Sequence, residues 1–151
     1  MGFDHSTIKA DPQEATLFLT STCNFRCEGC KRQVEGVVDC PEMTVETVKR
    51  LLAVYPQIRG FCIAGLGEPT LCSQFSAIVD YLVASGKYVG VVSNGSNADS
   101  FINLTNKPDY VSISLYGYDR ESYLKAVGLD IFQEVISNFA LMRKHFSNIG
   151  F

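Results

Sequence analysis

Histidine, long apolar runs and low-complexity segments are scarce or absent in this chain of 151 residues. The two histidines, His5 and His145, have no local spacing typical of a metal site. No stretch of about 18 apolar residues is present, so we expect no membrane-spanning helix. The first 14 residues include three acidic side chains and no apolar signal core, so we expect a cytoplasmic protein.

An excess of basic residues is also missing. The formal net charge is −3, which gives no reason to expect nucleic acid or an anionic membrane as the main partner. Hydrophobic residues make up 46% of the chain and charged residues 19%, values typical of globular proteins. A chain of this length matches one ordinary domain, so we expect a single domain over residues 1–151.

Six cysteines in so short a chain could form a disulfide framework, but two observations oppose that interpretation. The chain has no export signal, and its apolar runs supply enough core for folding without covalent links. Three of the cysteines also lie within eight consecutive positions, which favours a metal centre. We expect the scattered Cys40, Cys62 and Cys72 to be small buried apolar residues.

Apolar residues recur along the chain in two kinds of segment that alternate. One kind has the helical period of about 3.6 residues, and the other is a short strand-like run. Helix signals include Thr44 as an N-cap, Gly86 just beyond a helix end, and Asp130 with Gln133 as a capping box. Short β-forming runs alternate with these helices, and we expect strands at 15–20, 60–64, 88–92, 110–115 and, just beginning, 149–151.

Alternating strands and helices with strands apolar on both faces predict an α/β fold with a parallel sheet. A closed eight-stranded barrel needs about 250 residues, so this chain holds four to five βα units of an incomplete barrel or an open sheet, and of these we expect the partial barrel. Ligand sites in such sheets lie at the carboxyl ends of the strands, where the polar and glycine-rich loops of this sequence fall.

Cys23, Cys27 and Cys30 have the spacing C-x3-C-x2-C directly after the first strand. Thiolates are soft ligands that hold iron–sulfur clusters, and three of them leave one iron of a four-iron cube without a side-chain ligand. Zinc is the competing metal, and its structural sites need four ligands. Cys40 could supply the fourth thiolate, so that alternative stays open.

This spacing resembles the signature of the radical S-adenosylmethionine (SAM) superfamily, especially the branch with the molybdenum-cofactor cyclase and the peptide-modifying maturases. The resemblance implies a [4Fe–4S] cluster on the three cysteines and SAM bound to the fourth iron. It also implies reductive cleavage of SAM to a 5′-deoxyadenosyl radical, which abstracts a hydrogen atom from a substrate. A reducing partner such as flavodoxin or ferredoxin would supply the electron.

The loop after the second strand contains Gly65, Gly67, Glu68 and Pro69 in a Gly-x-Gly-Glu-Pro sequence. Glycines permit close approach of the backbone to a ligand, and a carboxylate accepts hydrogen bonds from an amine. The sequence is similar to the family's Gly-Gly-Glu-Pro motif, with Leu66 in place of one glycine. The resemblance implies that this loop holds the methionine amine of SAM.

Four polar residues follow or occupy the next two strands. Ser93 and Asn94 resemble a Thr-Asn-Gly turn that approaches SAM in related enzymes, and Ser112 and Ser114 resemble serines that contact its carboxylate or ribose. Each strand serine could instead bond only to the backbone.

Two features depart from the family pattern. Gly29 stands where an aromatic residue usually walls the adenine, and Phe25 could partly replace that residue. Family domains usually have six βα units, so we expect the chain to be the amino-terminal portion of a truncated or longer enzyme. A non-catalytic iron–sulfur or SAM-binding module is the alternative function. We expect the substrate to be a peptide or a small molecule.

Overall fold

The computed structural model describes residues 12–36 and 40–151, and the strands in those ranges form one open sheet. The strands follow one another across the sheet in chain order, and each neighbouring pair is parallel. Their bounds are β1 Glu14–Leu17, β2 Gly60–Ile63, β3 Tyr88–Ser93, β4 Tyr110–Ile113 and β5 Ile149–Gly150. The predicted α/β class, a partial parallel barrel of four to five units, is confirmed.

Helices connect consecutive strands, as right-handed crossovers of a parallel sheet require. In the described ranges no helix is long and apolar enough to cross a membrane. A 3-10 turn covers Pro69–Leu71, and the α-helices are α1 Lys31–Val34, α2 Val45–Val54, α3 Phe75–Ala84, α4 Asp99–Ile102, α5 Arg120–Val127 and α6 Phe132–Met142.

Two of the predicted helix ends are confirmed. The Thr44 hydroxyl accepts a hydrogen bond from the Thr47 N–H at 3.2 Å, which caps the amino terminus of α2. Gly86 follows α3 with φ +69°, the left-handed conformation that ends many helices.

The predicted capping box at Asp130 is wrong. No side chain caps α6, which begins at Phe132 after Ile131. The Asp130 carboxylate accepts two hydrogen bonds from the guanidinium of Arg120, the first residue of α5, instead. An ion pair with a bidentate arginine is a stronger use of that carboxylate than one backbone N–H.

Only one face of the sheet is covered by helices within the described ranges. Leu17, Ile63 and Val91 point to that face and are at most 3% exposed. The alternate residues, such as Thr16 and Cys62, are exposed on the other face. The sheet therefore has a covered face and an open face, which differs from the expectation of strands apolar on both faces. In a partial barrel the open face is the interior wall.

The scattered cysteines differ in burial. Cys72 is buried, as predicted, but Cys40 and Cys62 are exposed, so the prediction is wrong for these two. Cys62 is exposed because the two-residue period of β2 turns it to the open face of the sheet. His145 is exposed, and His5 lies outside the described residues.

Candidate iron–sulfur and cofactor site

The three clustered cysteines lie on the segment between β1 and α1, which we call the cysteine loop (residues 23–30). All three are partly buried. The Cys30 N–H donates to the Cys27 carbonyl oxygen at 3.1 Å, which closes a turn. Gly29 lies inside that turn with φ +75°, where a residue with a Cβ is strained. Glycine therefore suits position 29 better than an aromatic residue does.

Helix α5 anchors the cysteine loop from the side. The Arg26 N–H donates to the Val127 carbonyl oxygen at 3.3 Å, and the Glu28 N–H donates to that of Ala126 at 2.7 Å. Carbonyl groups in the last turn of a helix have no partner within it, so they are free to accept such bonds. The two residues that flank Cys27 are thus fixed to the carboxyl end of α5.

Gly67 brings the loop after β2 against the segment that leads to the cysteines. A Cβ at position 67 would lie 2.2 Å from the Thr20 carbonyl oxygen and 2.6 Å from that of Thr22. Both distances are below any real contact, so glycine is required for this approach. The next N–H, from Glu68, donates to the Thr22 carbonyl oxygen at 2.8 Å.

The Glu68 carboxylate is 2% exposed and ties two loops together. Its Oε1 accepts from the N–H and hydroxyl of Thr70, at 3.2 and 2.8 Å, and from the Ser93 hydroxyl at 2.8 Å. Its Oε2 accepts from the Asn94 N–H at 2.7 Å. Each carboxylate oxygen offers about two acceptor positions; Oε1 already accepts three hydrogen bonds and Oε2 accepts one, so the remaining capacity lies on Oε2.

An amide pair links the loop after β3 to the cysteine loop. The Asn94 side-chain amide donates to the Asn24 side-chain carbonyl oxygen at 2.8 Å, and the Asn24 amide donates to the Ser96 hydroxyl at 2.9 Å. Asn24 lies between the first two cysteines of the motif. The loops after β1, β2 and β3 therefore form one hydrogen-bonded unit at the carboxyl ends of the strands.

These loops enclose a cleft of about 270 Å³. Of the thirteen predicted site residues, eleven line it: Cys23, Phe25, Cys27, Gly29, Cys30, Gly65, Gly67, Glu68, Ser93, Asn94 and Ser114. Phe25 borders the cleft but is 3% exposed, so most of its ring packs in the core.

Pro69 and Ser112 do not line the cleft. Pro69 is buried at the first position of the 3-10 turn. Ser112 lies in β4, two residues before Ser114. The cofactor contacts assigned to both residues stay predictions.

Burial raises the pKa of the Cys27 thiol above its usual value, and the neighbouring Cys23 and Cys30 raise it further. The effect of the two neighbours reflects three thiols gathered in one place. Three soft donors beside a shared cleft fit a four-iron cluster with one iron left for another ligand. Within residues 12–36 and 40–151, no three His, Cys, Asp or Glu side chains converge on a single-ion position.

Sequence reasoning missed three residues at this site. Asn24 belongs to the amide pair. Its position inside the cysteine motif is the sequence feature that could have indicated a role in the site. Arg32 follows the motif, and its Nη1 donates to the Cys23 carbonyl oxygen at 3.5 Å. Tyr123 lies in α5, where burial, and then the charges of Cys27 and Tyr116, raise the pKa of its phenol to about 12. No local pattern around Tyr123 indicates this position.

A family model described as the radical SAM superfamily matches residues 17–151. The chain belongs to the radical SAM superfamily. The matched range contains the cysteine loop, the Glu68 loop and strands β2 to β5, so the resemblance drawn from the sequence is confirmed. Membership in this superfamily implies SAM and a [4Fe–4S] cluster as cofactors.

Curated relatives of this radical SAM chain are named as probable GTP 3′,8-cyclases. The protein from Thermococcus kodakarensis is 27% identical over 137 residues, which is 88% of this chain and 44% of the relative. The protein from Pyrococcus horikoshii is 32% identical over 138 residues, 86% of this chain and 43% of the relative. The chain thus spans less than half the length of these relatives.

Solved radical SAM structures share the fold. The crystal structure of Streptococcus suis SuiB bound to the precursor peptide SuiA aligns with a TM-score of 0.72 and 14% identity. The alignment covers 88% of this chain and 30% of SuiB. The same protein bound to S-adenosylmethionine also aligns with a TM-score of 0.72. At this level of identity the similarity establishes the partial-barrel fold.

Proposed function

We propose that this chain belongs to an enzyme that uses SAM and a [4Fe–4S] cluster to remove a hydrogen atom from its substrate. The observation that carries the proposal is the cleft that the three cysteines share with the Glu68 loop. When bound, the cluster and SAM supply reductive cleavage of the sulfonium and a carbon radical that takes the hydrogen atom.

Cys23, Cys27 and Cys30 would each hold one iron, and Glu68 would accept a hydrogen bond from the amine of SAM at Oε2. The capacity left on Oε2 supports that assignment, because Oε1 already accepts three hydrogen bonds. Ser114 lines the same cleft and would donate to an oxygen of the cofactor. The buried donors around Glu68 hold it in place before SAM arrives, which limits reorganisation on binding.

Two kinds of similar protein support the substrate class that we propose. GTP 3′,8-cyclases are named for a nucleotide substrate, and SuiB was solved with a precursor peptide. We propose a peptide or a small molecule as substrate and a flavodoxin or ferredoxin as reductant. Incubation of the reduced enzyme with GTP and with candidate peptides distinguishes the substrates by product mass.

The test is anaerobic reconstitution with iron and sulfide, followed by electron paramagnetic resonance with and without SAM. We expect a four-iron signal that changes when SAM is added, and 5′-deoxyadenosine as a product after reduction. Cys27→Ala should abolish the signal, whereas the matched Cys40→Ala should retain it. Loss of metal in both variants, with zinc bound by the parent protein, would contradict the proposal.

A signal that SAM does not alter would favour a simple electron carrier. SAM binding without 5′-deoxyadenosine would favour the non-catalytic module.

A further inference from the structure

Arg32 carries a partly buried guanidinium group without a negatively charged partner among the described residues. Its Nε is buried and forms no hydrogen bond there. The ion pairs of the described residues join other side chains, so no Asp or Glu balances the charge of Arg32. Withdrawing a charged N–H from water without a partner is costly. Such a group calls for a negative charge that the polypeptide alone does not supply.

The side chain of Arg32 connects the two ends of the cysteine loop. Its Nη1 donates to the Cys23 carbonyl oxygen at 3.5 Å. Helix α1, which carries Arg32, is fixed to the other end of the loop. The Cys30 carbonyl oxygen accepts from the N–H groups of Gln33 and Val34 at 2.8 and 3.2 Å. The guanidinium is therefore held beside the first of the three cysteines by a helix that begins directly after the third.

The Cys23 sulfur lies within short range of this charge. Four covalent bonds separate the carbonyl oxygen of a cysteine from its own sulfur, a span of about 4–5 Å at most. The Arg32 Nη1 is therefore about 8 Å or less from the Cys23 Sγ. The Debye length at physiological salt is also about 8 Å. Because Nε is buried, solvent screens this charge less than it screens an exposed ion pair.

We propose that Arg32 is the positive counter-charge of the iron–sulfur cluster and that it favours the reduced state. This inference rests on the proposed function, because it needs a cluster on Cys23. Three thiolates give the bound cluster site negative charge, and the electron that a reductant delivers increases it. An arginine stays protonated at any physiological pH. Its charge therefore stabilises the reduced state more than the oxidised state, which raises the reduction potential.

The test is Arg32→Met, which removes the charge and keeps an unbranched side chain. Redox titration of the reconstituted protein should show a lower potential, with the ratio of reduced to oxidised cluster falling several-fold at a fixed solution potential. A tenfold fall corresponds to about 59 mV for one electron. Lys31→Met is the matched control, because it removes the same charge from the preceding residue, which pairs with Glu35 on the exposed surface. The potential of that variant should equal the potential of the parent.

Arg32→Lys separates the charge from the shape of the side chain. It keeps the positive charge without the planar guanidinium, so we expect a potential near that of the parent. Loss of the cluster from Arg32→Met alone would also support the inference, since the variant that keeps the charge then keeps the cluster.

Two results would overturn the inference and leave the proposed function standing. One is an equal potential in cluster-loaded Arg32→Met and Lys31→Met proteins. The other is loss of the cluster from both Arg32 variants but not from Lys31→Met, because Arg32 would then contribute packing rather than charge. A parent protein that binds no four-iron cluster overturns both the inference and the proposed function.

Discussion

Glu68 is the residue on which the loops of the site converge. Its two oxygen atoms accept four hydrogen bonds, from Thr70, Ser93 and Asn94. The motif predicts a ligand for SAM at this position, and the structure adds a second task, the connection of the β2 and β3 loops. A substitution at Glu68 therefore affects folding as well as binding.

We expect Glu68→Gln to lower the free energy of unfolding by about 1–3 kcal/mol. In either orientation of the new amide, its NH₂ group faces an N–H donor that bonds to a carboxylate oxygen in the parent protein. Urea denaturation measures this loss, and calorimetric titration with SAM measures the weaker binding. Glu35→Gln is the control, because Glu35 pairs with Lys31 at a site where both side chains are 62% exposed. Equal stability of the two variants would argue against the role assigned to Glu68.

Gly67→Ala tests the close approach of the two loops. We expect marked destabilisation and loss of SAM binding, because the new methyl group would overlap the carbonyl oxygens of Thr20 and Thr22. Gly90→Ala is the control, since its Cβ would meet nothing closer than a Tyr110 ring carbon at 3.9 Å. That substitution should change stability by less than about 1 kcal/mol. Thermal melts of both variants measure the difference, and similar melting temperatures would refute the overlap.

At the scale of elements, α5 is the longest of the helices that the sequence did not reveal, which also include α1 and α4. Its capping box uses Asp119 and Ser122, whose side chains exchange hydrogen bonds with each other's N–H groups. Asp130 and Gln133 mimic that pattern eleven residues later. Most side chains of α5 are polar or exposed, and the helix buries two residues, Tyr123 and Val127, so its apolar periodicity is weak.

Asp119→Ala should destabilise the α5 region in a pH-dependent way. The Ser122 hydroxyl, and then the Ser122 N–H, lower the pKa of Asp119 below its usual value. Because the pKa of Asp119 is lower in the folded state than in the unfolded state, the charged carboxylate stabilises the fold at pH values above about 3.9, the ordinary carboxyl pKa. This contribution disappears as the pH falls through the pKa of the folded state. The stability difference between parent and variant should therefore be constant near neutrality and shrink below about pH 4.

Denaturation series at several pH values measure that difference. Glu121→Gln, which removes a carboxylate from the same first turn and leaves the capping box in place, is the control for the loss of one acidic side chain. A difference that persists undiminished at low pH would mean that the Asp119 charge does not stabilise the cap.

At the scale of the whole molecule, one core supports both the sheet and the site. The rings of Phe75 and Phe101 meet edge to face at 5.4 Å, and Phe101 meets Phe146 at 6.3 Å. These rings lie among the helices on the covered face, whereas the open face carries the exposed side chains of the strands. Loss of packing on the covered face should therefore release the loops at the strand ends.

Phe101→Ala should cost about 3–5 kcal/mol, because it removes a fully buried ring from a close-packed core. We expect loss of near-ultraviolet circular dichroism and of SAM binding together in the same thermal transition. Tyr118→Ala is the control, since Tyr118 is 87% exposed, and it should change stability by less than about 0.5 kcal/mol. Separate transitions for the core and for SAM binding would contradict a single cooperative unit.

The sequence alone determined the parallel α/β fold and the superfamily. Short-range signals carry that information: β-forming runs, the Thr44 cap, and the Cys23–Cys30 spacing. Each depends on residues close together in the chain, so each can be read without coordinates.

Only the tertiary structure decided which loops meet and what each buried polar group bonds to. Glu68 lies 26 residues from Asn94, and Cys27 lies about a hundred residues from the helix end that fixes its loop. Such contacts arise because parallel strands bring distant loops to one edge of a sheet, and no local pattern encodes them. The open face of β1–β4 and the unpartnered Nε of Arg32 became visible for the same reason.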